Sequence, residues 1–139
     1  MFPSSDVDLS LIEINKVKNY ENLENFISFM WDRGYKVGHS VRSISDIKKI
    51  SKKDLKEFTS YLTRRAIISN ESIDKKITKA LSGLWTRNNF YNHKFIEQQR
   101  RHSEFHSSAY NLEPDLKESP GTLRDFQSAL WILQHCYNL

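Results

Sequence analysis

The sequence predicts an α+β domain, a strand–helix–strand opening followed by a mostly helical remainder. Three observations predict it. Residues 6 to 12 alternate polar and apolar with period two. Residues 20 to 43 change from helical spacing to a second extended run across Gly34. From residue 44 onward, apolar residues recur three or four apart.

The first strand is Asp-Val-Asp-Leu-Ser-Leu-Ile at 6 to 12, with Phe2, Pro3, Ser4 and Ser5 leading into it as a turn. Val7, Leu9 and Leu11 share one face, and Asp6, Asp8 and Ser10 share the other. Asn19 is placed to cap the next helix. Tyr20, Leu23, Phe26, Ile27, Met30 and Trp31 give that helix its apolar spacing, and Gly34 is its expected stop. Residues 35 to 43 read as a second strand, and a β, α, β order leaves parallel and antiparallel pairing both open. Helical segments are expected near 44 to 52, 54 to 67, 72 to 85 and 87 to 105. Residues 106 to 121 break the pattern with serines, Pro114, Pro120 and Gly121. A last helix follows from about 122, with Thr122 and Asp125 in a capping-box arrangement. Leu123, Phe126, Leu130, Leu133 and Tyr137 form one apolar stripe along it.

Composition narrows the function classes. The 139 residues fit one domain, and 38% hydrophobic content is enough for a core. The single cysteine, Cys136, excludes a disulfide framework and a cysteine-based zinc site. No apolar run approaches the ~20 residues of a membrane span, and no signal peptide is visible, so a cytoplasmic location is expected. The chain carries 21 Lys+Arg against 17 Asp+Glu, with basic residues concentrated between 46 and 79. Such a surface attracts phosphates or forms a solvated helix face. Aromatics are not interleaved with those lysines, so no nucleic-acid partner is expected. The four glycines are dispersed, and no phosphate-cradling loop is present.

Three places could carry chemistry. Asp6 and Asp8, two residues apart on a strand, project from one face roughly 6 to 7 Å apart at Cα. Such a pair can converge on a divalent ion, and Mg²⁺ suits a few carboxylates completed by water and phosphate. Two exposed acids on an edge strand are the plain alternative. In Gly38-His39-Ser40-Val41-Arg42, the glycine permits a close approach. Alternation there places either Ser40 and Arg42, or His39, beside the Asp pair. The stretch 110 to 125 is dense in charge, and Lys117 and Arg124 can pair with phosphate or with local acids in a structural network. His93, His102, His106 and His135 do not form a metal set, and no serine or cysteine nucleophile motif occurs.

At these residues a family resemblance emerges. MFPSSDVDLSLI at 1–12, WDRGYKVGHSVRS at 31–43, FIEQQRRH at 95–102 and AYNLEPDLKESPGTLRDFQ at 109–127 resemble the nucleotidyltransferase domain of the bacterial protein-PII uridylyltransferase/uridylyl-removing enzymes. The resemblance implies a polymerase-β-like nucleotidyltransferase fold with a small mixed sheet. It implies Mg²⁺-dependent transfer of UMP from UTP to a tyrosine of the PII signalling protein. Asp6 and Asp8 match the family's metal-binding catalytic pair. Ser5, His39, Ser40, Arg42, Lys117 and Arg124 fall in its substrate-binding stretches. The family's triphosphate-binding motif would stand just before Met1, so the chain is expected to be a truncated domain, split into 1–43 around the metal site and a helical 44–139. Activity would then depend on a complementing upstream fragment. The competing expectation is a non-catalytic remnant or binding module, and a weaker one is nucleotide transfer to RNA or a small molecule.

Overall fold

The structure, a computed structural model, describes residues 6–14, 19–68, 70–105 and 115–137. Its described residues form one two-stranded parallel sheet and six α-helices, an α+β composition as the sequence predicts. The chain folds as two compact units, Met1–Lys49 and Ile50–Leu139.

The first unit is a strand–helix–strand. Strand β1 (Val7–Glu13) alternates half-buried Val7, Leu9 and Leu11 with exposed Asp8 and Ser10. Helix α1 (Glu21–Asp32) follows, then strand β2 (Val37–Ser43). The two strands run parallel, pairing Val7 with Val37, Asp8 with Gly38, Ser10 with Ser40 and Ile12 with Arg42. A parallel pair needs a crossover, and α1 supplies it.

Both ends of α1 follow local chemistry. Asn19 sits one residue before the N-cap Tyr20, and its side-chain oxygen accepts the Glu21 amide at 2.8 Å. At the other end the Gly34 amide donates to Trp31 O (2.8 Å) and the Tyr35 amide to Met30 O (3.1 Å). Those two bonds form a Schellman closure, with Gly34 at φ +79° where a side chain would be strained. The expected apolar face of α1 is buried only in part. Ile27 is buried, whereas Tyr20, Phe26 and Trp31 remain exposed. One sheet of two strands offers too little surface to cover all of them.

Helix α2 (Ile44–Lys53) runs across the boundary between the units. The second unit adds α3 (Leu55–Leu62), α4 (Glu71–Leu81), α5 (Arg87–Glu104) and α6 (Leu123–Tyr137). Asp54, Asn70 and Thr86 cap α3, α4 and α5 through their side-chain oxygens. Its core is aromatic. Phe58 meets the edge of Phe90 with ring centroids 5.8 Å apart, and His135 lies 4.5 Å from Phe90. His135 Nε2 is 2.9 Å from the Trp85 carbonyl, and the Trp85 indole donates to Ser51 O at 2.8 Å.

Helix α6 keeps its apolar stripe on the outside and departs from the expected capping box. Its stripe Leu123, Phe126, Leu130, Leu133 and Tyr137 is exposed, with Phe126 at 64%. The buried side instead carries Ser128, Trp131 and Cys136. Helix α5 presents Gln98, Arg101 and His102 to Asp125 and stacks Lys94 over Trp131, so the polar side of α6 faces inward. The capping box is also altered. The Thr122 hydroxyl donates to Ser119 O, and the Asp125 carboxylate reaches back to the Gly121 amide at 2.7 Å.

Candidate functional site

In the first unit, β1 and the start of β2 shape an open groove of about 470 Å³, lined by Asp6, Asp8, Trp31, Tyr35, Lys36, Val37 and Gly38. Strand alternation turns Asp6 and Asp8 to the same exposed face. The register sets Asp8 beside Gly38, and a Cβ built on Gly38 would lie 2.8 Å from Asp8 Oδ1. Real Cβ atoms do not approach so closely, so the glycine provides the space that the carboxylate occupies. The sequence predicts a close approach at this glycine, and the group that approaches is Asp8. Two exposed carboxylates on one face with a side-chain-free floor fit a divalent cation of the Mg²⁺ type. Among the described residues no group of three or more His, Cys, Asp or Glu side chains that could hold a metal ion is present.

The remaining candidates separate. Ser40 and Arg42 follow Gly38 at period two, and the register pairs them with Ser10 and Ile12, on the face of Asp8. His39 pairs with Leu9 on the other face and lies 6.3 Å from the Trp31 ring. Of the two arrangements that alternation allows, the strand adopts the one with Ser40 and Arg42 on the carboxylate side. Ser5 lies outside the described residues.

Lys117 and Arg124 belong to the second unit. Arg124 donates to Glu118 (Nη2 to Oε1, 2.9 Å) and to Gln127 (3.1 Å). That guanidinium holds Glu118 below the usual carboxylate range. Lys117 is exposed, and its amide and that of Glu118 both donate to Asp115 Oδ1. Those backbone donors lower the Asp115 pKa. For Arg124 the local network is the arrangement observed.

Sequence reasoning missed the centre of that network. Asp125 accepts from Gln98 (3.1 Å), Arg101, the Gly121 amide and His102 (2.9 Å). Burial alone would raise its pKa, but the Gly121, Gln98 and His102 hydrogen bonds outweigh burial and lower it. Gln98, Arg101 and His102 lie three and four residues apart, on one helical face, which was the available signal. Lys94, only 2% exposed, pairs with Glu97 at 2.9 Å and stacks on the Trp131 ring at 4.3 Å. Burial pushes its pKa down, against the pull of Glu97. The basic stretch from 46 to 79 is mostly solvated. Arg64, which is half-buried, pairs with Asp74 at 2.7 Å. No described helix is long and apolar enough to cross a membrane.

Comparison with known proteins bears out the resemblance. Residues 89–139 match the family described as GlnD PII-uridylyltransferase. A bifunctional uridylyltransferase/uridylyl-removing enzyme of Nitrosococcus oceani is 35% identical over 142 residues, covering 99% of this chain and 16% of that enzyme. Its namesake in Haemophilus influenzae is 38% identical and covers 97% of the chain. The one in Idiomarina loihiensis is 37% identical over 95% of it. The chain spans about one sixth of the length of the curated relatives it matches. No solved structure matches it.

Proposed function

We propose, taking this chain as the counterpart of one stretch of those bifunctional enzymes, that it carries the metal-binding carboxylates of a nucleotidyltransferase with a polymerase-β-like fold. The reaction is transfer of UMP from UTP to a tyrosine of the PII signalling protein, in the cytoplasm. The observation that carries this reading is the placement of Asp8 over Gly38 beside Asp6.

Asp6 and Asp8 would hold Mg²⁺, which when bound neutralises charge on the triphosphate. The groove by itself holds two carboxylates and one lysine, Lys36. Such a groove repels a bare nucleotide, so nucleotide binding is expected to require the divalent ion. Ser40 and Arg42, which share the strand face of Asp8, would meet the substrate's polar groups. Arg124, paired with Glu118, would position the turn before α6, and exposed Lys117 would be available to a phosphate.

The experiment is Mg²⁺-dependent labelling of PII by UTP in the presence of this chain. Asp6→Asn and Asp8→Asn should each lower the rate by ~100-fold or more, the scale of lost transition-state charge stabilisation. Both residues are exposed, so melting temperatures should hold. Undiminished labelling by either variant would remove the metal assignment. No labelling by the unaltered chain would favour a non-catalytic binding module.

A further inference from the structure

We propose that Trp31 and Tyr35 form an aromatic wall that stacks the base of a nucleotide whose phosphates are held at Asp6 and Asp8. The inference rests on the reading above and assigns the substrate's other end.

The groove has two chemically distinct linings. One is the carboxylate pair; the other is two large aromatic rings and Lys36. Its volume, about 470 Å³, falls within the range of small-ligand sites. Trp31 and Tyr35 line the groove and are each 53% exposed, which leaves part of their surface open to a ligand. Neither ring is placed at random. The Trp31 indole donates to the Val37 carbonyl at 3.3 Å, and its ring is tilted against His39. Tyr35 follows directly on the Gly34 closure, and its own amide is tied to Met30 O. The helix end and the strand start thus hold the Trp31 indole and the Tyr35 backbone before any ligand arrives, which lowers the entropic cost of binding. A nucleotide is the ligand whose single body offers both a metal-binding polyphosphate and a flat π-face. Stacking on an aromatic side chain is base-tolerant and strengthens binding by roughly 5- to 150-fold per base.

The test is equilibrium binding to the full chain, in Mg²⁺, of two probes: UTP and inorganic tripolyphosphate. UTP should bind more tightly. Trp31→Ala should weaken UTP by ~10-fold, within the stacking range, and leave tripolyphosphate unchanged. Trp31→Phe should restore most of the loss. Tyr35→Ala, at a position outside any helix or strand, should give a smaller loss confined to UTP. Asp8→Asn should weaken both probes. Equal affinity of wild-type chain for the two probes, or equal weakening of both by Trp31→Ala, overturns the stacking wall and leaves the carboxylate reading standing. No Mg²⁺-dependent binding of either probe overturns the carboxylate reading, and the wall with it.

Discussion

The two units handle their acidic side chains in opposite ways. In the first, Asp6 and Asp8 stand exposed on a groove, beside a glycine that makes room for one of them. In the second, half-buried Asp125 is held by Arg101, His102, Gln98 and a backbone amide, and half-buried Glu118 by Arg124. A carboxylate whose hydrogen-bonding capacity is met by its own chain is structural. A pair left open on one face keeps its oxygens for a ligand. The contrast separates residues expected to matter for chemistry from residues expected to matter for stability.

The sharpest way to break this comparison is at Asp125. Asp125→Asn removes the charge opposite Arg101, which is only 8% exposed. Breaking one partner of a buried pair costs roughly 3–5 kcal/mol. Urea denaturation should show a loss of that order, against a change within about 0.5 kcal/mol for Asp8→Asn, as for an exposed surface substitution. Similar losses for the two variants would abolish the distinction between the units.

Next in size is Gly38→Ala. The added Cβ would meet Asp8 Oδ1 at 2.8 Å, so the carboxylate must move. Overpacking of this kind costs about 1–3 kcal/mol. Here it should appear as weakened Mg²⁺-dependent nucleotide binding, because Asp8 is free to swing into solvent. A Gly38→Ala chain that bound Mg²⁺-nucleotide as the wild type does would show that the glycine serves only the strand.

What the sequence made legible follows from the reach of its signals. Alternation is local, so β1, the shared face of Asp6 and Asp8, and the special status of Gly38 were all readable. The Gly34 stop was readable because helix closure is decided by adjacent residues. Helical spacing, by contrast, says which residues share a face and not which face is buried. The α6 stripe from Leu123 to Tyr137 was grouped correctly, but that it lies exposed was not readable, since the partner helix α5 meets α6 through Lys94, Gln98 and Arg101. The Asp125 hub joins positions more than twenty residues apart, and Trp31, in the last turn of α1, lines the same groove as the β1 carboxylates. Both depend on tertiary placement that no local pattern encodes.

The smallest effect is also the most specific to the second unit. Asp125 and Glu118 both have folded-state pKa values below their ordinary ones. The sign follows from linkage: the unfolded chain takes up protons first as pH falls. The stabilisation is therefore complete above the ordinary carboxylate range, near pH 4. It is lost as pH falls through that range toward the folded-state values. Urea midpoints measured from pH 7 down to pH 3 should stay level and then drop. In Asp125→Asn the remaining drop should be shallower, because one of the linked carboxylates no longer titrates, while Arg124 and Glu118 keep their 2.9 Å pair. An acid limb of unchanged steepness in that variant would mean that the network around Asp125 contributes no pH-dependent stability, and that its buried charges are held by packing alone.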